Sequence, residues 1–138
     1  MHVVYCHVQN HLGANDRIDT FLLKGLAQLE QDCLEHNIPF TLLYGDPAEQ
    51  LTPWLNAMRP AIVITDFEPL HNSQRWIDSV VASSDFPVHQ VDAHNIVPCW
   101  HVSQKQEFAA YTIRPKINRL LPDFLEEFPE MVRHPFGA

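Results

Sequence analysis

The chain has 138 residues, of which 46% are hydrophobic and 19% are charged. This length suits one domain, and this composition excludes wholesale disorder. No run of about 18 apolar residues occurs, so no membrane-spanning helix is expected. The formal net charge of −8 argues against direct DNA binding by the chain alone, because phosphate contacts need clustered positive charge.

Cysteine usage and the first residues indicate a cellular compartment. Cys6, Cys33 and Cys99 are too few and too scattered for a disulfide framework. The first residues lack the basic and long apolar segments of a signal peptide. We therefore expect a reducing, cytoplasmic environment.

The first 44 residues predict a strand, a helix and a second strand. Apolar, β-branched residues predict a strand at Val3–Val8, and a second apolar run predicts another at Phe40–Tyr44. Between them, apolar residues at spacings of three and four predict a helix over Asp16–His36. Asn15 is placed to cap this helix, and Pro39 follows its end.

The same alternation continues to residue 91. Asp46-Pro47 provides a cap and a first helical residue for a short helix, which Arg59-Pro60 ends. A strand follows at Ala61–Thr65, then a helix at about Leu70–Ser83 and a fourth strand at Pro87–Val91. Residues 92–103 have no regular pattern.

The C-terminal part reads as helical again. From about Gln104 the apolar spacing is that of a helix, which Pro122 should kink or restart. Residues 129–138 read as a fraying tail.

Strand–helix alternation with short connections predicts an α/β fold. The expected architecture is a Rossmann-like, three-layer parallel sheet of about four strands flanked by helices. Ligands of such folds bind beyond the carboxyl ends of the strands. Asp66, Asp92, His94 and Asn95 fall at such ends and form the candidate binding site. The alternative is that Asp66 and Asp92 only cap the turns that follow them.

Other chemistry has little support in the sequence. Glycine-rich phosphate loops and nucleophile elbows are absent, and no Ser or Cys is paired with a base at a recognisable spacing, so no catalytic residue is assigned. Cys99, His101 and His94 would need a fourth ligand to hold zinc, so no metal site is assigned. Lys105, Arg114, Lys116 and Arg119 make a basic segment, either a solvated helix face or a docking surface for an acidic partner or polyanion.

Several stretches carry a resemblance to one family. The three in the second half read VDAHNIVPCW (91–100), SQKQEFAAYTIRPK (103–116) and LLPDFLEEFP (120–129), and TDFEPL (65–70) precedes them. Together they resemble the N-terminal α/β domain of class II cyclobutane-pyrimidine-dimer photolyases, over nearly the whole chain. The resemblance implies an α/β domain at 1–100 and a helical connecting segment with a C-terminal tail at 101–138.

The resemblance also implies that the two domains of the family have different roles. The family repairs pyrimidine dimers in DNA with light, and its separate helical domain holds FAD and the surface for damaged DNA. The sequence given lacks that domain, so we do not expect it to be catalytic alone, and FAD would come only through a separate helical domain. Trp100, Arg114, Lys116 and Arg119 would contact that domain or another partner.

In some members of the family an antenna chromophore lies between the two domains. A deazaflavin or flavin antenna would then lie at the strand-end residues Asp66, Asp92, His94 and Asn95.

The sequence departs from the family pattern in ways that bear on these contacts. Met1 aligns with the start of the family's second strand, and the first strand, which is central in the family's sheet, is missing. The four remaining strands must close the gap differently or borrow a strand from a second copy. His71 and Tyr111 replace residues that are commonly basic in the family, which affects the interdomain contacts.

Two alternatives assign no enzymatic role. One is a stand-alone interaction module that forms homodimers through exposed apolar residues such as Trp100, Ile113 and Phe124. The other is a small chromophore carrier that binds its ligand at Asp66 and His94.

Overall fold

Strands and helices alternate along the chain, as predicted. The computed structural model describes residues 1–9 and 11–136. The strands and α-helices of this part are β1 (Val3–His7), α1 (Asp16–Glu35), β2 (Phe40–Tyr44), α2 (Pro47–Met58), β3 (Val63–Asp66), α3 (His71–Ser83), β4 (Val88–Val91), α4 (Cys99–Val102) and α5 (Ala110–Phe124), and a 3-10 turn at His11–Gly13 precedes α1. The predicted α/β class, with parallel strands flanked by helices, is confirmed.

The capping signals in the sequence act as expected. The Asn15 side chain accepts a hydrogen bond from the Ile18 amide (3.2 Å) at the start of α1. The Asp46 carboxylate accepts one from the Ala48 amide (2.9 Å), and Pro47 is the first residue of α2. These bonds satisfy amides that have no partner within the helix.

The four strands form two parallel pairs. β1 pairs with β2, and β3 pairs with β4, in register from Val3 opposite Phe40 and from Val63 opposite Val88. Within residues 1–9 and 11–136, no ladder joins the two pairs, so the expected single sheet is divided. The helix α2 follows β2, packs against β1, β2 and α3, and leads to β3.

The C-terminal part differs from the expectation in two respects. The sequence predicted a helix from about Gln104, but residues 103–109 are not helical and α5 begins at Ala110. The short helix α4 was not expected. In addition, α5 continues unbroken through Pro115 and Pro122 to Phe124. Pro122 is exposed, so water can satisfy the carbonyl that its missing N–H leaves free.

The tail is anchored rather than frayed at His134. Its amide donates to the His36 carbonyl (2.7 Å), and its carbonyl accepts from the Asn37 side-chain amide (2.9 Å). The N-terminal ammonium lies 3.1 Å from the His134 ring. The expectation of a fraying tail is therefore wrong at this point, because polar groups at the end of α1 bind it; residues 137 and 138 lie outside the described part.

Asn37 provides a test of this anchor. Its φ is +61°, a conformation that glycine adopts without strain. Asn37→Gly should keep the backbone and remove the hydrogen bond to His134. Loss of one neutral bond, about 1 kcal/mol, should speed tryptic cleavage after Arg133 about fivefold. Cleavage at Arg17, within α1, should not change; equal acceleration at both sites would indicate global destabilisation instead.

The core is small for the size of the chain. In the described part, the buried apolar residues are Leu26, Cys33, Ile38, Leu55, Val80, Val97 and Val102. The accessible surface is 10541 Å², whereas a compact monomer of 15.9 kDa exposes roughly 7,400 Å². The chain therefore leaves far more surface uncovered than a self-contained domain does.

Candidate functional site

The buried Asp92 side chain organises the loop after β4. Its carboxylate accepts hydrogen bonds from the Asn95 amide (3.1 Å), the Asn95 side chain (2.9 and 3.0 Å) and the Cys99 amide (2.8 Å). The Asn95 bonds close a turn of the Asx type, and the Cys99 bond fixes the first turn of α4. The structure therefore joins Asp92 and Asn95, two of the four predicted strand-end residues, in one hydrogen-bond network.

These bonds set the charge of Asp92. Burial by itself raises the pKa of the carboxyl, but the hydrogen bonds from Cys99 and Asn95 outweigh it, and the pKa lies below the ordinary value. The carboxylate is therefore ionised at neutral pH. Desolvation and the neighbouring carboxylate raise the pKa of the Cys99 thiol, so Cys99 is not an activated nucleophile.

The other two predicted residues lie apart from this network. Asp66 ends β3, is exposed and borders a cavity of about 270 Å³ between β3, α2 and α3. Its apolar walls include Leu51, Val63 and Trp76. His94 is exposed on the loop after β4 and does not line this cavity, nor do Asp92 and Asn95.

Trp76 connects this cavity to the strand ends, and the sequence did not identify it as part of the site. Its ring lines the cavity, its Nε1 donates to Asp46 Oδ2 (3.0 Å), and the His11 ring lies 4.9 Å from it. Asp46 therefore both caps α2 and holds the indole. A tryptophan in a chain of this kind is expected to be a core or interface anchor, and no sequence signal distinguished Trp76 from that role.

A polar cluster orders the segment between α4 and α5. The Lys116 ammonium contacts Glu107 Oε1 and lies 3.1 Å from Ser103 Oγ, and Ser103 Oγ donates to Glu107 Oε1 (2.8 Å). The hydrogen bonds from Lys116, Ser103 and Thr112 lower the pKa of Glu107 to about 2. Lys116, predicted as a contact with another domain, thus has its partners within the segment.

The Glu107–Lys116 cluster predicts that the stability of the folded chain decreases at low pH. The pKa of Glu107 in the folded chain, about 2, lies below its ordinary 4.5. The contribution of this carboxylate to stability is therefore complete above pH 4.5 and is lost as the pH falls towards 2. Titration of the Glu107 carboxyl by NMR should show the low midpoint. In Lys116→Gln the midpoint should rise; an unchanged midpoint would contradict the assignment of the cation as the main cause.

Aromatic and basic side chains on α4, on α5 and in the segment between them are exposed to solvent. Trp100 packs edge-on against Phe67 (5.3 Å between ring centres) and remains 41% exposed. Phe108 is 87% exposed and Tyr111 is 78% exposed. Arg114 and Arg119 are exposed on α5 and form no ion pair within the described part of the chain. Together, these five residues are called the aromatic–basic face.

Two kinds of feature are absent from the described residues. Among residues 1–9 and 11–136, no group of three or more His, Cys, Asp or Glu side chains is arranged to hold a metal ion. No helix in this part has both the length and the apolar character needed to cross a bilayer.

Comparison with known proteins identifies the family. Residues 1–133 match the family model for DNA photolyase. The deoxyribodipyrimidine photo-lyase of Potorous tridactylus is 42% identical over 140 residues, which cover 100% of this chain and 26% of that protein. The enzyme of the same name from Arabidopsis thaliana is 44% identical over 131 residues, 94% of this chain and 26% of that protein.

An archaeal relative matches as well. The deoxyribodipyrimidine photo-lyase of Methanothermobacter thermautotrophicus is 30% identical over 123 residues, 89% of this chain and 27% of that protein. The chain thus spans about a quarter of the length of these relatives. Since the family model covers nearly all of its residues, the chain belongs to the DNA photolyase family.

Proposed function

We propose that this chain is the α/β part of a class II, light-driven pyrimidine-dimer repair lyase and docks onto a separate FAD-binding helical domain. The relatives it matches are deoxyribodipyrimidine photo-lyases about four times its length. Within such an assembly this chain forms the α/β domain, and the partner domain supplies catalysis. Alone, the chain does not split dimers.

The aromatic–basic face is the observation that carries this proposal. The Asp92 network binds the start of α4, and the Glu107–Lys116 cluster ties the segment before α5 to that helix, yet Trp100 and Phe108 nearby remain exposed. Such a preorganised apolar surface loses little entropy on binding. Arg114 and Arg119 give it a positive charge that favours an acidic partner surface.

FAD would bind in the helical domain and supply light-driven electron transfer. The cavity at Asp66 does not fit this cofactor. Asp66 and Glu68 line it, no basic residue does so in the described part of the chain, and the FAD diphosphate needs cations or amides. Its volume, about 270 Å³, lies below the usual range for a ligand of that size.

Association is the direct test. We expect the purified chain to co-elute with the FAD-binding helical domain of a class II photolyase, and blue light to repair thymine-dimer DNA faster with the mixture than with either part. Phe108→Asp should abolish co-elution. Phe128→Asp is the matched control, since Phe128 is 97% exposed but lies in the tail. Absence of association would refute the proposal.

The cavity supports a second candidate function, that of an antenna or chromophore carrier. A deazaflavin or flavin ring would stack on Trp76 and meet Asp66 at the strand ends. His94 and Asn95 lie outside the cavity and would contact only an extension of such a ligand. The absorption spectrum of the purified chain tests this: a band beyond the Trp and Tyr envelope supports the carrier, and aromatic absorption alone counts against it.

The uncovered surface supports a third candidate, a homodimeric interaction module. The excess over a compact monomer is about 3,000 Å² per chain. If two copies each buried it, the interface would total about 6,000 Å², at the upper end of obligate interfaces. A monomeric mass by light scattering at high concentration would exclude this candidate. The three free thiols favour a cytoplasmic location for any of these assemblies.

A further inference from the structure

The cavity at Asp66 has mostly apolar walls. Its volume is about 270 Å³, and residues of β3, β4, α2 and α3 surround it. A cavity of roughly 150 Å³ holds a benzene ring, so this one has room for an aromatic ring with a short side chain. The apolar lining residues are Pro47, Leu51, Val63, Ile77, Val80 and Val88. A ligand with an apolar body is therefore favoured over most of this space.

The Trp76 indole is an aromatic wall whose position is fixed. Its Nε1 donates to Asp46 Oδ2 (3.0 Å), and the other oxygen of the same carboxylate accepts from the Ala48 amide (2.9 Å). Because the only polar atom of the indole has this partner, the ring offers a ligand in the cavity its π surface. The face of an indole attracts a cation more strongly than the face of any other aromatic side chain.

One end of the cavity is acidic. Asp66 is the last residue of β3, Glu68 follows two residues later, and both line the cavity. The Asp66 carboxylate forms no hydrogen bond or ion pair within the described part of the chain. Glu68 Oε1 accepts only a long hydrogen bond from the Leu70 amide (3.4 Å) among those residues. Both carboxylates are therefore able to accept further hydrogen bonds from a ligand.

This negative charge has no compensating cation in the cavity. Among the residues that the structure describes, no lysine or arginine lines it. Arg75, which precedes Trp76 in the sequence, donates instead to Asn72 (2.6 Å) and does not line the cavity. An anionic ligand would be repelled by the two carboxylates, whereas a cationic ligand would be attracted. A cation that also has an apolar body matches both the walls and the end of the cavity.

The distance between the apolar and acidic parts sets the length of the ligand. Val63 begins β3 and Asp66 ends it, and both line the cavity. At about 3.3 Å per residue, these two positions lie about 10 Å apart. An aromatic ring with a short aminoalkyl chain fits this distance, with the ring near Val63 and the amine near Asp66.

We propose that this cavity binds a small arylalkylamine, with its aromatic ring among the apolar walls and its ammonium group at Asp66 and Glu68. The ammonium group would donate to both carboxylates and lie near the indole of Trp76. The site requires a positive charge on the ligand, which the flavin or deazaflavin of an antenna lacks. The inference does not depend on the proposed repair function.

The test is an NMR titration of the full, ¹⁵N-labelled chain with 2-phenylethylamine. Binding should shift the Trp76 indole N–H resonance and the Thr65 and Ser73 amide resonances. The neutral 2-phenylethanol has nearly the same shape, and it should bind about tenfold more weakly because it lacks the charge. Equal affinities would mean that the cavity only takes up apolar rings, which overturns the proposal. Tighter binding of riboflavin than of the amine would overturn it as well.

A pair of double variants tests the two carboxylates. Asp66→Asn combined with Glu68→Gln keeps the shape of both side chains, and it should weaken binding of the amine about tenfold while leaving 2-phenylethanol unaffected. Asp78→Asn combined with Asp85→Asn is the matched control, because it removes the same charge from two exposed residues outside the cavity. Equal weakening by both double variants would show that net charge alone attracts the amine, and unchanged binding in the first would refute the assigned site.

Amine binding and docking are measured at different surfaces. The cavity lies among β3, β4, α2 and α3, whereas co-elution with a helical domain tests the aromatic–basic face on α4 and α5. Failure of the amine to bind therefore leaves the docking result untouched, and failure to co-elute leaves the amine result untouched.

Discussion

Replacement of Asp92 by alanine is expected to lower the free energy of unfolding by about 2–4 kcal/mol. The carboxylate is 5% exposed and accepts hydrogen bonds from both Asn95 and Cys99. Alanine would leave the Cys99 amide without its acceptor at the start of α4. Urea unfolding followed by far-ultraviolet circular dichroism measures the change, and docking through Trp100 should weaken in parallel.

Comparing the stability of Asp92→Asn with that of the wild-type chain at different pH separates the effect of the carboxylate's charge from the effect of its shape. The pKa of Asp92 is lowered in the folded chain, so its stabilisation is present above the unfolded value of 3.8 and is lost as the pH falls below it. The wild-type chain should therefore lose more stability than Asp92→Asn when the pH is lowered from 5 to 2. Parallel loss in both proteins would show that the charge of Asp92 does not stabilise the loop.

Leu55→Ala is expected to have an effect of similar size, about 2–5 kcal/mol, through the loss of apolar contacts and the cavity it leaves. Leu55 is the most buried of the core side chains, with 2% of its surface exposed. It lies on α2, the helix that packs against β1, β2 and α3. The substitution should therefore loosen both strand pairs together, which urea unfolding monitored by Trp54 and Trp76 fluorescence would report.

Leu34→Ala is the matched control for this substitution. Leu34 is 68% exposed on α1, and the same truncation there should cost less than about 0.5 kcal/mol. Similar losses at both positions would mean that α2 is not the element that holds the fold together.

Local signals predicted most of the elements because each depends on a few neighbouring residues. Asn15 and Asp46 marked helix starts, and β-branched runs marked strands, within two residues of the observed bounds. The helix boundary at Ala110 was missed because residues 104–109 have a helical apolar spacing, yet Ser103 and Glu107 form side-chain hydrogen bonds there in a non-helical loop. The division of the sheet depends on long-range pairing, which spacing does not reveal.

The candidate site was predictable only in part, for a similar reason. Asp92 and Asn95 are three residues apart, so their contact is a local turn that sequence reasoning can anticipate. The cavity at Asp66 depends on Trp76 and Leu51, which come from two different helices. Lys116 reaches back nine residues to Glu107, which no charge pattern in the sequence indicated. Whether these residues bind a chromophore or a partner remains a prediction.

The anchored tail brings distant parts of the polypeptide together. The Met1 ammonium and the His134 ring lie 3.1 Å apart although 133 positions separate them. Each strand pair is also continuous in sequence, one within residues 3–44 and the other within residues 63–91. A short glycine–serine linker could therefore join the two ends, and new termini could be placed in the loop 59–62. In this circular permutant the β3–β4 pair would precede the β1–β2 pair in sequence, and neither ladder would be interrupted.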